Sequence, residues 1–245
     1  MKNKLKQGAK DFALLIRAYS LFHVPEEYCS PAERIPQALR LFPLWGAVSG
    51  GVLWAAAWVL YPGFFRLSAL ILLALDLFLG GACILQQLML FVDGRLLPSE
   101  KKKATLSRSP FAMLFALLWL LLLYSGYLYF LRSDSAEHLF SAQVYSRWFF
   151  CFSLRFLAVS RELPHKEGFS RSSFLFATLT AVLCLLPVSS GPLLFSIALS
   201  GLMVLLLWGV KRKMPGSSRE NFSAASAAVL QVLFLWSLLC FGMGF

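Results

Sequence analysis

The stretch LGGACILQQLMLFVDGRLLPSEKKK (residues 79–103) sets the terms for the whole chain. It is apolar enough to cross a bilayer, yet it opens on Gly80-Gly81 and carries Gln86-Gln87. It then passes Asp93-Gly94 and ends in Glu100 followed by Lys101, Lys102 and Lys103. A simple membrane anchor has no use for that ending. A segment that presents polar groups at a membrane surface does.

Working outward, the composition agrees. Of 245 residues, 58% are hydrophobic and 14% charged, and the mean hydropathy is +0.69. Soluble domains carry about 25% charged residues. The chain therefore reads as an integral, all-α polytopic membrane protein in one domain. Residues 1–40 form an interfacial segment and residues 41–245 the transmembrane bundle. A spanning helix needs roughly 20 apolar residues. Seven stretches meet or approach that length, at about 41–60, 67–92, 111–131, 139–160, 172–188, 191–210 and 222–245. Phe12 to Val24, interrupted by Arg17, reads as interfacial. The N-terminal residues are too polar for a cleaved signal peptide.

Charge sets the orientation. With the N-terminus in the cytoplasm and seven spans, only Arg66 and Arg132 fall outside, and Arg147 and Arg155 fall within a span. Every other Lys and Arg lies on the inner side, as the positive-inside rule requires. The net charge of +11 thus reads as topology in the plasma membrane and not as a nucleic-acid surface. The polar connections 93–110, 161–171 and 211–221 are predicted to share the cytoplasmic face. The five cysteines are scattered singly and the three histidines stand far apart, which gives no zinc or disulfide framework.

Several short blocks, in order, resemble one family. Tyr19-Ser20 with Val24-Pro25, Phe42-Pro43-Leu44-Trp45-Gly46-Ala47, Gly80-Gly81, Asp93-Gly94, Glu100-Lys101-Lys102, Ser160-Arg161 and Lys166-Glu167-Gly168 are similar to motifs of the cobalamin synthases, the adenosylcobinamide-GDP ribazoletransferases. The resemblance implies transfer of α-ribazole, or its phosphate, onto adenosylcobinamide-GDP with release of GMP. It also implies magnesium as cofactor. Asp93 would be the catalytic and metal contact, and Lys101, Lys102, Arg161 and Lys166 would bind substrate phosphates. The implied partners are the lipid bilayer, the corrinoid nucleotide and the ribazole, with a homo-oligomer possible.

The chain departs from the pattern at its acids. Cys83 stands where the family has His, and Leu85 and Met89 stand at two acidic positions. Ala227, Ala228 and Gln231 follow Glu220-Asn221-Phe222 where the family has further carboxylates. A non-catalytic paralogue that kept the fold, and a small transporter built on Asp76 and Arg147, therefore stay open as readings. Bland roles stay open beside the functional ones. Asp93-Gly94 also reads as a helix-end turn, the lysine run as a lipid-facing patch, Ser160-Arg161 as an interfacial anchor, and the glutamines as helix-to-helix donors.

Asp76 and Arg147 fall outside the resemblance. Asp76 is nine residues below Leu67 and Arg147 eight below Leu139. At ~1.5 Å per residue both lie roughly 12–14 Å deep. Opposite charges at equal depth predict mutual pairing, since unpaired charges in hydrocarbon are costly. The rival arrangement has Arg147 reaching outward and Asp76 protonated or bonded to a hydroxyl.

Overall fold

The structure, a computed structural model, describes residues 2–60, 64–96, 110–133, 135–157, 169–186, 201 and 219–242. Among these there is no strand. The helices are α1 (Lys2–Tyr19), α2 (Phe42–Leu60), α3 (Phe65–Asp76), α4 (Ala82–Leu96), α5 (Pro110–Arg132), α6 (Glu137–Phe152), α7 (Arg171–Leu185) and α8 (Arg219–Gly242). Short helical turns link α1 to α2, and wide π turns follow α3 at Leu77–Gly81 and α6 at Ser153–Leu157.

Three helical stretches, Ala32–Leu60, Phe65–Asp93 and Pro110–Arg132, are long and apolar enough to cross a membrane, and Arg171–Leu185 and Ala225–Trp236 are shorter apolar helices. Their outward faces carry Trp58, Leu117, Leu121 and Leu179, all exposed. An apolar exterior of this kind is a liability in water and the expected surface in lipid. The chain is an all-α membrane bundle. The expected span at 191–210 and the three polar connections lie wholly or mostly outside the described residues.

With no hydrophobic force between helices in lipid, close packing must hold the bundle. The sequence supplies it at Gly46 and Gly50, four residues apart on α2. A Cβ at Gly46 would lie 2.8 Å from the Gln143 carbonyl oxygen, and one at Gly50 would lie 2.9 Å from the Phe140 Cα. The backbones of α2 and α6 therefore meet with no side chain between them. Tryptophan indoles tie other helices together. Trp119 Nε1 donates to the Ala228 carbonyl and Trp236 Nε1 to the Leu122 carbonyl, each at 3.1 Å, joining α5 and α8 in both directions. Trp148 Nε1 donates to Thr178 Oγ1, joining α6 to α7. An indole N–H in an apolar setting needs an acceptor, and the buried Trp119, the half-buried Trp148 and the exposed Trp236 each find one on a neighbouring helix.

The N-terminal segment is more deeply engaged than an interfacial reading of Phe12 to Val24 implies. Leu14, Leu15 and Tyr19 are buried in the same core as Leu53, Leu72, Leu123 and Leu235. Tyr19 packs against Phe42 and Phe150, with ring centres 4.9 and 5.8 Å away. A buried carboxylate anchors the other end of the contact. Asp11 accepts from Gln7 Nε2, Ser30 Oγ, Arg34 Nε and Nη2, and Arg40 Nη2, at 2.7 to 3.5 Å.

Candidate functional site

The second apolar stretch is not one helix. Gly80 has φ 148° and ψ −15°, a left-handed conformation that side chains with a Cβ rarely adopt. The chain breaks there, between α3 and α4. Asp93-Gly94, expected at a helix end, lies in the last described turn of α4. Gly80-Gly81 removes the side chains that would resist the bend.

A break at membrane depth frees backbone carbonyls, which must find donors. Leu21 N–H donates to the Phe78 carbonyl at 3.1 Å. Trp45 Nε1 donates to the Leu79 carbonyl at 3.1 Å. The strap that follows α1 and the start of α2 therefore close the break from one side. Phe22 lies edge-on to Phe78, with ring centres 4.7 Å apart.

On the other side of the break lies a polar centre built from four helices. Asp76, at the end of α3, is fully buried. It accepts from Tyr127 Oη on α5 at 2.6 Å and from Gln143 Nε2 on α6 at 2.8 Å. A longer bond of 3.4 Å comes from Gln231 Nε2 on α8. Arg147, one turn beyond Gln143, is 1% exposed.

The two charges do not form the expected pair: no Arg147 nitrogen comes within 4.0 Å of an Asp76 oxygen. Equal depth was a sound inference, but neutral donors on three helices occupy the carboxylate first. The rival reading is half met, since Asp76 takes a hydroxyl while Arg147 stays inside. Arg147 Nη1 donates to Ser146 Oγ at 3.1 Å, and its Nε and Nη2 have no hydrogen-bond partner. A Cβ at Gly80 would lie 3.5 Å from Arg147 Nη2 and 3.6 Å from Trp45 Nε1. The guanidinium therefore sits against the glycine break.

Of the residues expected to act, Asp93 lies half-buried on α4, and Lys101, Lys102, Arg161 and Lys166 lie outside the described residues. Gln86 is exposed, and Gln87 is half-buried with Oε1 lacking a partner. Neither supplies one of the bonds between helices described above. Among the described residues no three His, Cys, Asp or Glu side chains converge as a metal site. Magnesium takes several oxygens in near-octahedral array, and α4 offers one carboxylate, Asp93. Asp93 alone is not such a donor set, and Glu100, Glu162 and Glu167 lie outside the described residues. Reasoning from the sequence passed over Tyr127 and Gln143, and met Trp45 only as part of a family motif. The signal that could have found the site was the glycine pair inside an apolar run, since such pairs mark a break.

A broken transmembrane helix beside buried, partly unsatisfied polar groups defines the class: a polytopic α-helical membrane protein with a polar centre inside its bundle. A family model described as cobalamin-5-phosphate synthase matches residues 11–218, and the chain belongs to that family. It is 29% identical over 226 residues to an adenosylcobinamide-GDP ribazoletransferase of Desulfitobacterium hafniense (strain Y51), covering 86% of this chain and 88% of the relative. No solved structure matches at a significant level.

Proposed function

We propose that this protein joins α-ribazole, or its phosphate, to adenosylcobinamide-GDP. A ribazole hydroxyl attacks the corrinoid-side phosphorus, a phosphodiester bond forms, the bond to the departing GMP breaks, and the hydroxyl proton is released. The observation that carries the reading is the family match along residues 11–218, which contains the glycine break and the Asp76, Tyr127, Gln143 and Arg147 part of the polar centre, though not Gln231. The printed activity of the relative supports the same substrates. The reading places the protein in the plasma membrane with its active face in the cytoplasm, the side to which the positive-inside rule assigns the basic connections. Asp93 is its acidic contact, and Lys101, Lys102, Arg161 and Lys166 attract the phosphates.

Phosphoryl transfer is mostly positioning and charge stabilisation, so a polar centre that holds its donors rigidly suits it. The test is GMP release by the purified full chain from adenosylcobinamide-GDP and α-ribazole, with and without added magnesium. Complementation of a strain lacking the synthase runs in parallel. GMP release together with growth supports the reading. Failure of both, with folded protein, overturns it in favour of a paralogue that kept the fold without the chemistry.

A further inference from the structure

Two of Arg147's three guanidinium nitrogens, Nε and Nη2, lack partners although the side chain is 1% exposed. These two N–H groups share one edge of the guanidinium, the edge that forms a two-pronged bond to the paired oxygens of a carboxylate or phosphate. Asp76, the nearby acid, does not take that edge, because Tyr127, Gln143 and Gln231 already supply its bonds. Leaving such donors unmet in an apolar interior is costly, and a buried group of this kind asks for a missing ligand. The fork also sits beside the one positive-φ glycine of the described chain, and irregular backbone at membrane depth is characteristic of sites that receive polar substrates.

The cover over this point is thin. Residues 21–25 form a non-helical strap. Leu21 and Phe22 are exposed, and the Leu21 N–H to Phe78 carbonyl bond crosses the break. Phe22 adds edge contacts to Phe78 and Trp45. Lifting the strap requires breaking few interactions, and it would open the break toward the side on which α1 lies.

We propose that the Nε/Nη2 edge of Arg147, beneath the strap at the Gly80 break, is a binding fork for a phosphate group. The choice of phosphate over carboxylate rests on the transferase reading, whose nucleotide-linked substrate carries a diphosphate. Arg147 is in this sense a binding residue for that substrate.

The probe is inorganic pyrophosphate, titrated calorimetrically into the full chain in neutral detergent. Arg147→Gln should weaken binding at least tenfold, and Arg147→Lys, which keeps the charge and loses the fork, should recover part of it. A folded Arg147→Gln variant that binds as tightly as the wild type overturns the proposal. Should that variant fail to fold, labelling of wild-type Arg147 by phenylglyoxal, read by peptide mass spectrometry, decides. Pyrophosphate should slow labelling, and Phe22→Ala should speed it by loosening the strap. Labelling that is indifferent to pyrophosphate in both proteins overturns the proposal.

The phosphate has two sources, which nanodiscs separate. If phosphatidylglycerol protects Arg147 where phosphatidylcholine does not, the bound phosphate is a lipid headgroup. If pyrophosphate protects equally in both, it is soluble. Pyrophosphate binding through Arg147 without GMP release supports the fork while overturning the transferase reading. GMP release with pyrophosphate binding unchanged in Arg147→Gln does the reverse.

Discussion

Two aspartates are buried among the described residues, and they are treated in opposite ways. Asp11 on α1 is surrounded by the chain's own cations, with Arg34 at 3.1 Å and Arg40 at 3.5 Å, and by Ser30 and Gln7. Those arginines are about one-third exposed, so water completes their bonding. Asp76 lies fully buried in the bundle centre, and it is bonded by neutral groups while Arg147 stays apart. The first arrangement is closed, with charge matched by charge, and it fastens α1 to the turns before α2. The second leaves two strong donors over. Structural sites consume their bonding capacity and functional sites keep some in reserve, which is why the Asp76 and Arg147 centre is the one read as a site.

The comparison breaks most directly at Asp76. Asp76→Ala strands the donors of Tyr127, Gln143 and Gln231 and leaves Arg147 with no nearby negative charge. A loss of roughly 3–5 kcal/mol is expected in unfolding measured in detergent, because each unmet buried donor costs about 1–3 kcal/mol. A loss below ~1 kcal/mol would show that the centre is open to water and that its unpaired donors mean little.

Gly80→Ala comes next. Its Cβ would lie 2.8 Å from the Tyr19 carbonyl oxygen, and φ of 148° is strained for any residue with a Cβ. A cost of about 1–3 kcal/mol follows, with faster hydrogen exchange at the Leu21 amide as the strap lifts. Unchanged exchange at Leu21 would separate the strap from the break.

Asp11→Ala should cost about 1–2 kcal/mol in lost charge-assisted hydrogen bonds. The effect should be local: amide exchange through α1 accelerates, while the bundle's melting temperature moves little. A global loss matching that of Asp76→Ala would erase the contrast between the two aspartates.

The smallest effect is with pH. Burial pushes the Asp11 carboxyl up, but hydrogen bonds from Arg34, Ser30 and Gln7, with the charge of Arg34, outweigh it and hold it below its ordinary value of 3.8. Because the folded value is depressed, the clamp's contribution is present above that ordinary value and is lost as pH falls through the lower, folded one. Amide protection in α1, exchange corrected for its intrinsic pH dependence, should therefore be steady from neutral pH to about 4 and fall only below it. Loosening near pH 6 would assign the dependence to another group.

Membrane insertion, the all-helical class and the family were all legible in the sequence, because they rest on sums over many residues. Mean hydropathy, the lengths of apolar runs and the order of short motifs survive any local misreading. Asp76 and Arg147 do share one centre, with Asp76 bonded to Gln143 one turn before Arg147. What the one-dimensional chain did not determine was who bonds whom. Tyr127, Gln143 and Gln231 are separated from Asp76 by 51, 67 and 155 residues, and nothing in the local sequence ranks them above Arg147 as partners. That ranking depends on which way each helix is rotated. On α2 and α6, backbone contact at Gly46 and Gly50 sets the rotation. The break at Gly80 likewise depends on Leu21 and Trp45, distant in sequence, which satisfy the carbonyls it frees. Competition for hydrogen bonds inside an apolar medium is settled by geometry among all the helices at once, and only the tertiary structure holds that information.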